Sequence, residues 1–352
     1  MGEGGEGRER SAGIAPPRVV DVHAHILFPQ VMGLAGAAGP EMGDDGGTGF
    51  FRSGEYMLRG VKYIGSPFAD VGARLTLMDR LGIDHQILSP NPLTYFYALP
   101  AVDGVRFCRA QNDAMAEVIR LHPRRFSGIA QLPVQDVGAA LAELERAVRD
   151  LGLVGSYLGS GFAGLELADP TLDLLWAAHA TLDVPVVIHP APASVELPAS
   201  RQAAAQKWDL DLVLGFGHDE ALAVARLIYG DVLDRHPGLR VHIPHGGGTA
   251  PYIKGRMAAA LERRPWARGL LNRPFEELWA QLSFDCLVGT QAALLFLIRS
   301  EGAARVMLGS NFAGWDQEDA IARRVADLGL EPRDLAAVLG ASAARYFKLP
   351  WA

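Results

Sequence analysis

The sequence predicts an α/β chain built as a (β/α)8 TIM barrel, with a site at the C-terminal face and long inserts after strands 1 and 5. Three observations predict it. Short β-branched runs alternate with helical patterns eight times along the chain. Three of those runs end in histidine. The length of 352 residues and the apolar content of 49% suit one large barrel with insertions.

The strand candidates are 18–23, 85–89, 126–132, 153–158, 184–189, 239–244, 281–285 and 305–310. They read as continuous apolar runs, as expected of parallel strands buried on both faces. Helical patterns fall between them at 70–82, 104–122, 136–151, 170–181, 217–235, 250–263, 290–301 and 317–328. Gly152, Gly238 and Gly302 sit near helix ends, where left-handed termination favours glycine. A last amphipathic stretch, 331–346, is expected to pack outside the barrel. Residues 1–16 are rich in Gly, Glu and Arg and read as a disordered tail, leaving 17–352 as a single domain. The inserts, 29–68 and 190–216, are long enough to be lids or binding walls.

Composition narrows the function classes. The net charge of −7, with acids and bases interspersed, argues against a nucleic-acid partner. Two cysteines, Cys108 and Cys286, give no disulfide framework, so a reducing cytoplasm is expected. No apolar run reaches the roughly 18 residues of a membrane span. A small-molecule substrate is expected, and a homodimer is compatible with the sequence.

The chemistry starts at Asp21-Val-His23-Ala-His25. In an extended chain residues i and i+2 point the same way, so both imidazoles can reach one ion from a strand end. Val184-Pro-Val-Val-Ile-His189 and Leu239-Arg-Val-His-Ile-Pro-His245 end in histidine in the same manner. In a barrel the C-terminal strand ends converge, so these residues meet. Neutral imidazole suits zinc, iron or manganese, and the cofactor is expected to be one or two such divalent ions.

Several stretches resemble the amidohydrolase superfamily, in the branch of aminocarboxymuconate semialdehyde decarboxylase. They include Asp70-Val-Gly-Ala-Arg-Leu-Thr-Leu-Met-Asp-Arg-Leu-Gly-Ile-Asp, His122-Pro-Arg-Arg-Phe-Ser-Gly-Ile-Ala-Gln-Leu-Pro and His245-Gly-Gly-Gly-Thr-Ala-Pro-Tyr. The resemblance covers roughly residues 18–347. It implies that His23, His25 and His189 bind metal and that His245 acts on a metal-bound water. It also implies an eighth-strand aspartate ligand, but here Asn311 stands in Met307-Leu-Gly-Ser-Asn-Phe, with Asp316 nearby. The family decarboxylases carry a substrate-gripping arginine in the first insert. An ungapped count places Lys62 there, with Arg59 close by. The fourth strand carries no lysine, so the bridging carbamate of many dinuclear relatives cannot form.

Other residues have two readings each. His218, Asp219 and Glu220 either hold a second ion, with His218 a ligand, or favour a helix start on dipole grounds. Asp285, at the end of the seventh strand, either orients His245 or anchors a loop. His242 points to the opposite strand face, under a helix, and His85, His122, His179 and His236 read as structural. Aromatic and apolar residues of the inserts, Trp208 among them, suggest a wall for a bulky apolar substrate, with Lys62 and Arg59 meeting its anionic part.

Activated water attacking an ester, lactone or thioester carbonyl is therefore the leading expectation. The departures at Asn311 and Lys62 favour this hydrolase over the alternative, a nonoxidative decarboxylase of an aromatic or muconate-type carboxylate. The third reading is a degenerate, non-catalytic barrel.

Overall fold

Runs of β-branched residues with helices on either side have one stable arrangement, a parallel sheet covered on both faces. The computed structural model describes residues 18–162, 164–191 and 207–351 and shows that arrangement. In chain order the strands are β1 (Val20–Ile26), β2 (Glu41–Asp45), β3 (Thr48–Ser53), β4 (Tyr56–Arg59), β5 (His85–Pro90) and β6 (Phe126–Gly128). β7 (Ala130–Gln131), β8 (Ser156–Gly159), β9 (Val186–His189), β10 (Val241–Ile243), β11 (Leu282–Asp285) and β12 (Val306–Met307) follow.

β1, β5 and β6 pair in parallel, and β7 to β12 pair in parallel in sequence order. β6 and β7 are two halves of the third barrel strand. Ile129 between them donates to Leu88 O at 3.0 Å, and Ala130 to Gly155 O at 2.9 Å. The eighth strand returns to the first. Val22 N–H bonds Leu308 O at 2.9 Å, and Phe312 N–H bonds His23 O at 2.9 Å. Every residue of β1, β5, β8, β9 and β11 is buried, as the unbroken apolar patterns require. The fold is thus the expected TIM barrel.

The helices lie where the periodicity places them. Val71–Leu81 starts on Asp70, whose carboxylate accepts the Ala73 N–H at 2.7 Å, and ends on Gly82 at φ 69°. Val137–Arg149 is capped by Asp136 in the same way. The predicted helix 217–235 is interrupted at Gly230 and Asp231, giving Phe216–Tyr229 and the short Val232–Arg235. Residues 332–346 are helical and dock beside the eighth strand, with Leu308 N–H bonding Val338 O at 2.9 Å.

The first insert is no mere loop. β2, β3 and β4 form a three-stranded antiparallel sheet within it. Gly46 and Gly47, both at positive φ, make the turn between β2 and β3. The same glycines made the stretch read as a loop. The expected tail, 1–16, and most of the second insert, 192–206, lie outside the described residues.

Three buried histidines away from the barrel mouth serve the fold. His85 bonds Ser127 Oγ at 3.0 Å, His179 bonds Ser156 Oγ at 2.6 Å, and His242 bonds Ser283 Oγ at 3.1 Å beneath the rings of Tyr346 and Phe347. Burial pushes each one down from the ordinary histidine value to about 4. Below about pH 6.5 the unfolded chain therefore takes up protons that the folded chain refuses. Stability is expected to fall between pH 6.5 and 4, by up to about 1.4 kcal/mol per pH unit for each histidine. Urea unfolding at a series of pH values measures this, and a pH-independent midpoint across that range contradicts it.

Candidate metal centre

β1 carries His23 and His25 to the barrel mouth, and β9 carries His189. His245 follows β10 at φ 47°, and Gly246, Gly247 and Gly248 all have positive φ. The glycines have a steric reason. A Cβ on Gly247 would lie 2.6 Å from the Phe284 ring, and one on Gly248 would lie 2.3 Å from Gly217 O. The close approach at Gly217 seats the loop on the start of helix Phe216–Tyr229. Glu220, on that helix, thereby meets His245.

The four imidazoles converge. Ring centroids lie 4.9 Å apart for His23 and His25, 5.1 Å for His25 and His189, 5.0 Å for His189 and His245, and 4.8 Å for His23 and His245. Ligand atoms of His23, His189 and His245 all lie within 4.8 Å of one another, the one such group of donors among the described residues.

Hydrogen bonds at the far nitrogens settle which atoms face inward. His23 Nδ1 donates to Asp285 Oδ2 at 2.7 Å, and His189 Nδ1 donates to Pro190 O at 2.6 Å. His25 Nδ1 lies 3.0 Å from Ser89 Oγ and 3.3 Å from Pro90 O. Carbonyls and an ionised carboxylate only accept, so these Nδ1 atoms carry the protons, and in the neutral imidazoles the Nε2 atoms are bare. His23 Nε2 and His25 Nε2 then face each other at 3.2 Å. His189 Nε2 is buried with no partner. Lone pairs facing each other in a buried site repel unless a cation lies between them. The donor set fits a divalent ion on these grounds.

Asn311 joins from the eighth strand at φ 49°. Its amide nitrogen donates to the Asp316 carboxylate, and its Oδ1 is buried without a partner. Asp316 thus orients Asn311. It does not take its place.

The electrostatics separate the histidines into two kinds. Burial, reinforced by neighbouring imidazoles, pushes His25 and His189 well below the ordinary histidine value. Burial also pulls on His245, but Glu220 outweighs it, with Asp285 and Asp316 adding to the effect, and His245 rises to about 9. The contact is 2.6 Å from His245 Nδ1 to Glu220 Oε1. Asp285 is opposed by its burial, yet the His23 hydrogen bond and the facing histidines hold it at about 2.

A cavity of about 250 Å3 opens above this cluster. His25, His189, His245 and Asn311 form its floor, while Tyr56, Leu58, Tyr63, Leu93, Phe216 and Trp315 wall it. The insert sheet supplies Tyr56 and Leu58 through β4. Aromatic and apolar residues of the first insert thus line the cavity, as expected, whereas Trp208 does not.

The amidohydrolase family profile matches residues 20–349. The chain belongs to the amidohydrolase family. Within it, this amidohydrolase falls in the aminocarboxymuconate semialdehyde decarboxylase branch, as the sequence resemblance implied. The 2-amino-3-carboxymuconate-6-semialdehyde decarboxylase of Dictyostelium discoideum is 31% identical over 245 residues, which cover 69% of this chain and 66% of that enzyme, just under two thirds of its length. The crystal structure of 2,6-dihydroxybenzoate decarboxylase from Rhizobium superposes with a TM-score of 0.76 at 26% identity, covering 95% of this chain and 99% of that one. A dihydroxybenzoic acid decarboxylase from Polaromonas sp. JS666, with bound manganese and the inhibitor 2-nitroresorcinol, superposes with a TM-score of 0.76 at 22% identity, covering 95% and 97%.

These relatives overturn the leading expectation from sequence. They are decarboxylases, and hydrolysis of an ester, lactone or thioester is set aside. The decarboxylase relatives also count against the non-catalytic reading. Several expected positions are also corrected. Lys62 is exposed and does not line the cavity. Arg59 is exposed and pairs with Asp45 at 3.3 Å, because β4 turns it toward the tip of the insert sheet. Trp208 is 74% exposed, with Lys207 Nζ 4.1 Å from its ring centroid, and it does not line the cavity. His218 is exposed on its helix, outside the imidazole cluster. Asp285 orients His23, not His245, while its bonds from the Gly246 and Leu287 N–H groups agree with the other expected role, anchoring a loop. Sequence reasoning grouped Glu220 with His218 and missed its pairing with His245. Its neighbour Gly217, set against the glycine run at 246–248, was the available signal.

Loss of one inward imidazole is expected to empty the site. His189→Ala should retain a cooperative thermal transition while elemental analysis shows most of the bound divalent metal gone. Full metal retention by that variant contradicts the assignment.

Proposed function

We propose that the chain is a metal-dependent nonoxidative decarboxylase acting on a carboxylate attached to a planar unsaturated carbon, aromatic or muconate-type. The observation that carries this reading is the similarity to decarboxylases across most of the chain. The His245–Glu220 pair beside an inward-facing donor set, beneath a largely apolar cavity, supports it.

His23, His25, His189 and Asn311 Oδ1 are the residues that would hold the ion. Manganese, bound in the Polaromonas relative, suits such a set of imidazole and amide donors. The bound ion would supply positive charge to grip the substrate carboxylate and draw electrons from the adjoining carbon framework. The chain's own residues do the rest. The aromatic walls hold a planar substrate and keep water from it. Glu220 holds His245 through Nδ1 and favours its protonated form, so that Nε2 faces the cavity bearing the proton to be delivered.

His245 Nε2 delivers that proton to the ring or chain carbon bearing the carboxylate. The bond from this carbon to the carboxylate then breaks. Its electron pair returns to the unsaturated system, and carbon dioxide leaves. His245 regains a proton from solvent, so one proton is consumed per turnover and no water is added. Glu220 hydrogen-bonds His245 and acts as a positioning residue.

The test is direct. Incubation in D2O with 2,6-dihydroxybenzoate and related hydroxybenzoates, or with 2-amino-3-carboxymuconate semialdehyde, should release carbon dioxide. One deuterium should appear at the vacated carbon. Product that has gained the elements of water contradicts the reading. Replacing the proton donor, His245→Ala, should lower kcat by about 10²-fold or more. Glu220→Gln should lower kcat with little change in KM, because it orients the donor without touching substrate. An unaltered kcat in Glu220→Gln contradicts the positioning role.

A further inference from the structure

The two histidines of β1 are held from beneath by a chain of buried polar groups. β1 slips register against β5 between Asp21 and Ala24, a bulge of the kind that re-aims side chains beside active sites. There the His23 N–H bonds Asp21 Oδ1 at 3.1 Å. The same oxygen accepts the Ser310 N–H at 3.0 Å, and Oδ2 accepts the Ser310 hydroxyl at 2.7 Å. Ser310 immediately precedes Asn311.

The chain continues outward. Asp21 Oδ2 also accepts Gln86 Nε2 at 3.1 Å, and Gln86 Oε1 accepts Arg74 Nη1 at 2.8 Å. Arg74 Nη2 donates to the His25 carbonyl, and Nε donates to Pro67 O at 3.0 Å. Its guanidinium carbon lies 4.7 Å from the centroid of the Phe312 ring. Asp21, Gln86, Arg74 and Ser310 are all 0% exposed.

Burying a guanidinium and a carboxylate costs desolvation energy, and such pairs are weak evidence for stability. Their benefit is geometric. This network takes up the His23 N–H and the His25 carbonyl on one side and Ser310 on the other. It thereby fixes the first strand against the eighth, the two strands whose side chains must meet at one ion. Through Pro67 it also reaches the end of the first insert.

We propose that Arg74, Gln86 and Asp21 form a positioning bridge that sets the approach of His23 and His25 to Asn311, and with it the affinity of the site for its divalent ion. The inference rests on the metal reading above. Supporting residues around metal ligands commonly control affinity by 10- to 100-fold.

The experiment titrates metal-stripped protein with manganese(II) by calorimetry and records thermal unfolding of the same stripped samples. Wild type is compared with Arg74→Lys, Arg74→Met and Gln86→Met. Gln86→Met breaks the bridge without stranding a new charge, so it decides the matter if Arg74→Met fails to fold. The expected result is a cooperative transition for stripped Gln86→Met with manganese affinity about tenfold weaker or more. Arg74→Lys, which keeps the charge but loses the fork, should fall between wild type and Arg74→Met. Folded variants that bind manganese as tightly as wild type overturn the bridge and leave the metal reading intact. A wild-type chain that binds no manganese overturns both. Carbon dioxide release, measured separately on wild type, reports on the proposed reaction alone.

Discussion

The arrangement of this chain turns on an electrostatic constraint at the barrel mouth. Three bare imidazole nitrogens and one amide oxygen are directed into a small buried space, with each opposite ring nitrogen already satisfied by protein. Without a cation this is a set of repelling lone pairs, costly to bury. With one it is a preorganised site. Much else in the fold serves that end. Strand alternation in β1 turns two histidines to one side, the left-handed Asn311 brings its amide oxygen in, and Asp285 and Pro190 fix the imidazoles from behind.

His245 stands at the edge of this cluster but differs in kind. Its Nδ1 proton meets an ionisable carboxylate, Glu220, which favours the charged imidazolium. A metal ligand needs a bare nitrogen, whereas a proton donor needs a charged one. The two environments, a few ångströms apart, separate the two tasks. Placing the Glu220 helix against a glycine-only loop is what makes the pairing reachable. This helix also contributes Phe216 to the cavity wall, so a wall residue and the partner of His245 are carried on adjacent turns.

Most of the barrel was legible in the sequence because parallel strands buried on both faces leave uninterrupted β-branched runs, and helices between them leave a clear period. The histidines at strand ends were legible for the same reason: their position in a strand fixes where they converge. Other features depended on information that no local pattern carries. The hairpins of the first insert were hidden by the glycines that make their turns. Lys62 and Arg59 were counted into place, but a count along the chain does not say which side of a new sheet they occupy. The pairing of Glu220 with His245 rests on contact between residues 217 and 248, which is invisible one residue at a time. The choice of decarboxylation over hydrolysis came from the relatives, because the same ligands and the same histidine serve either chemistry.

The central claim, that His23, His25, His189 and Asn311 hold one ion while His245 stays free for proton transfer, is tested most directly by anomalous diffraction from manganese-loaded crystals. The account predicts a single anomalous peak among the Nε2 atoms of His23, His25 and His189 and the Oδ1 of Asn311, with His245 Nε2 beyond bonding distance and its Nδ1 still on Glu220. A peak bonded to His245, or a second peak beside His218, would contradict it.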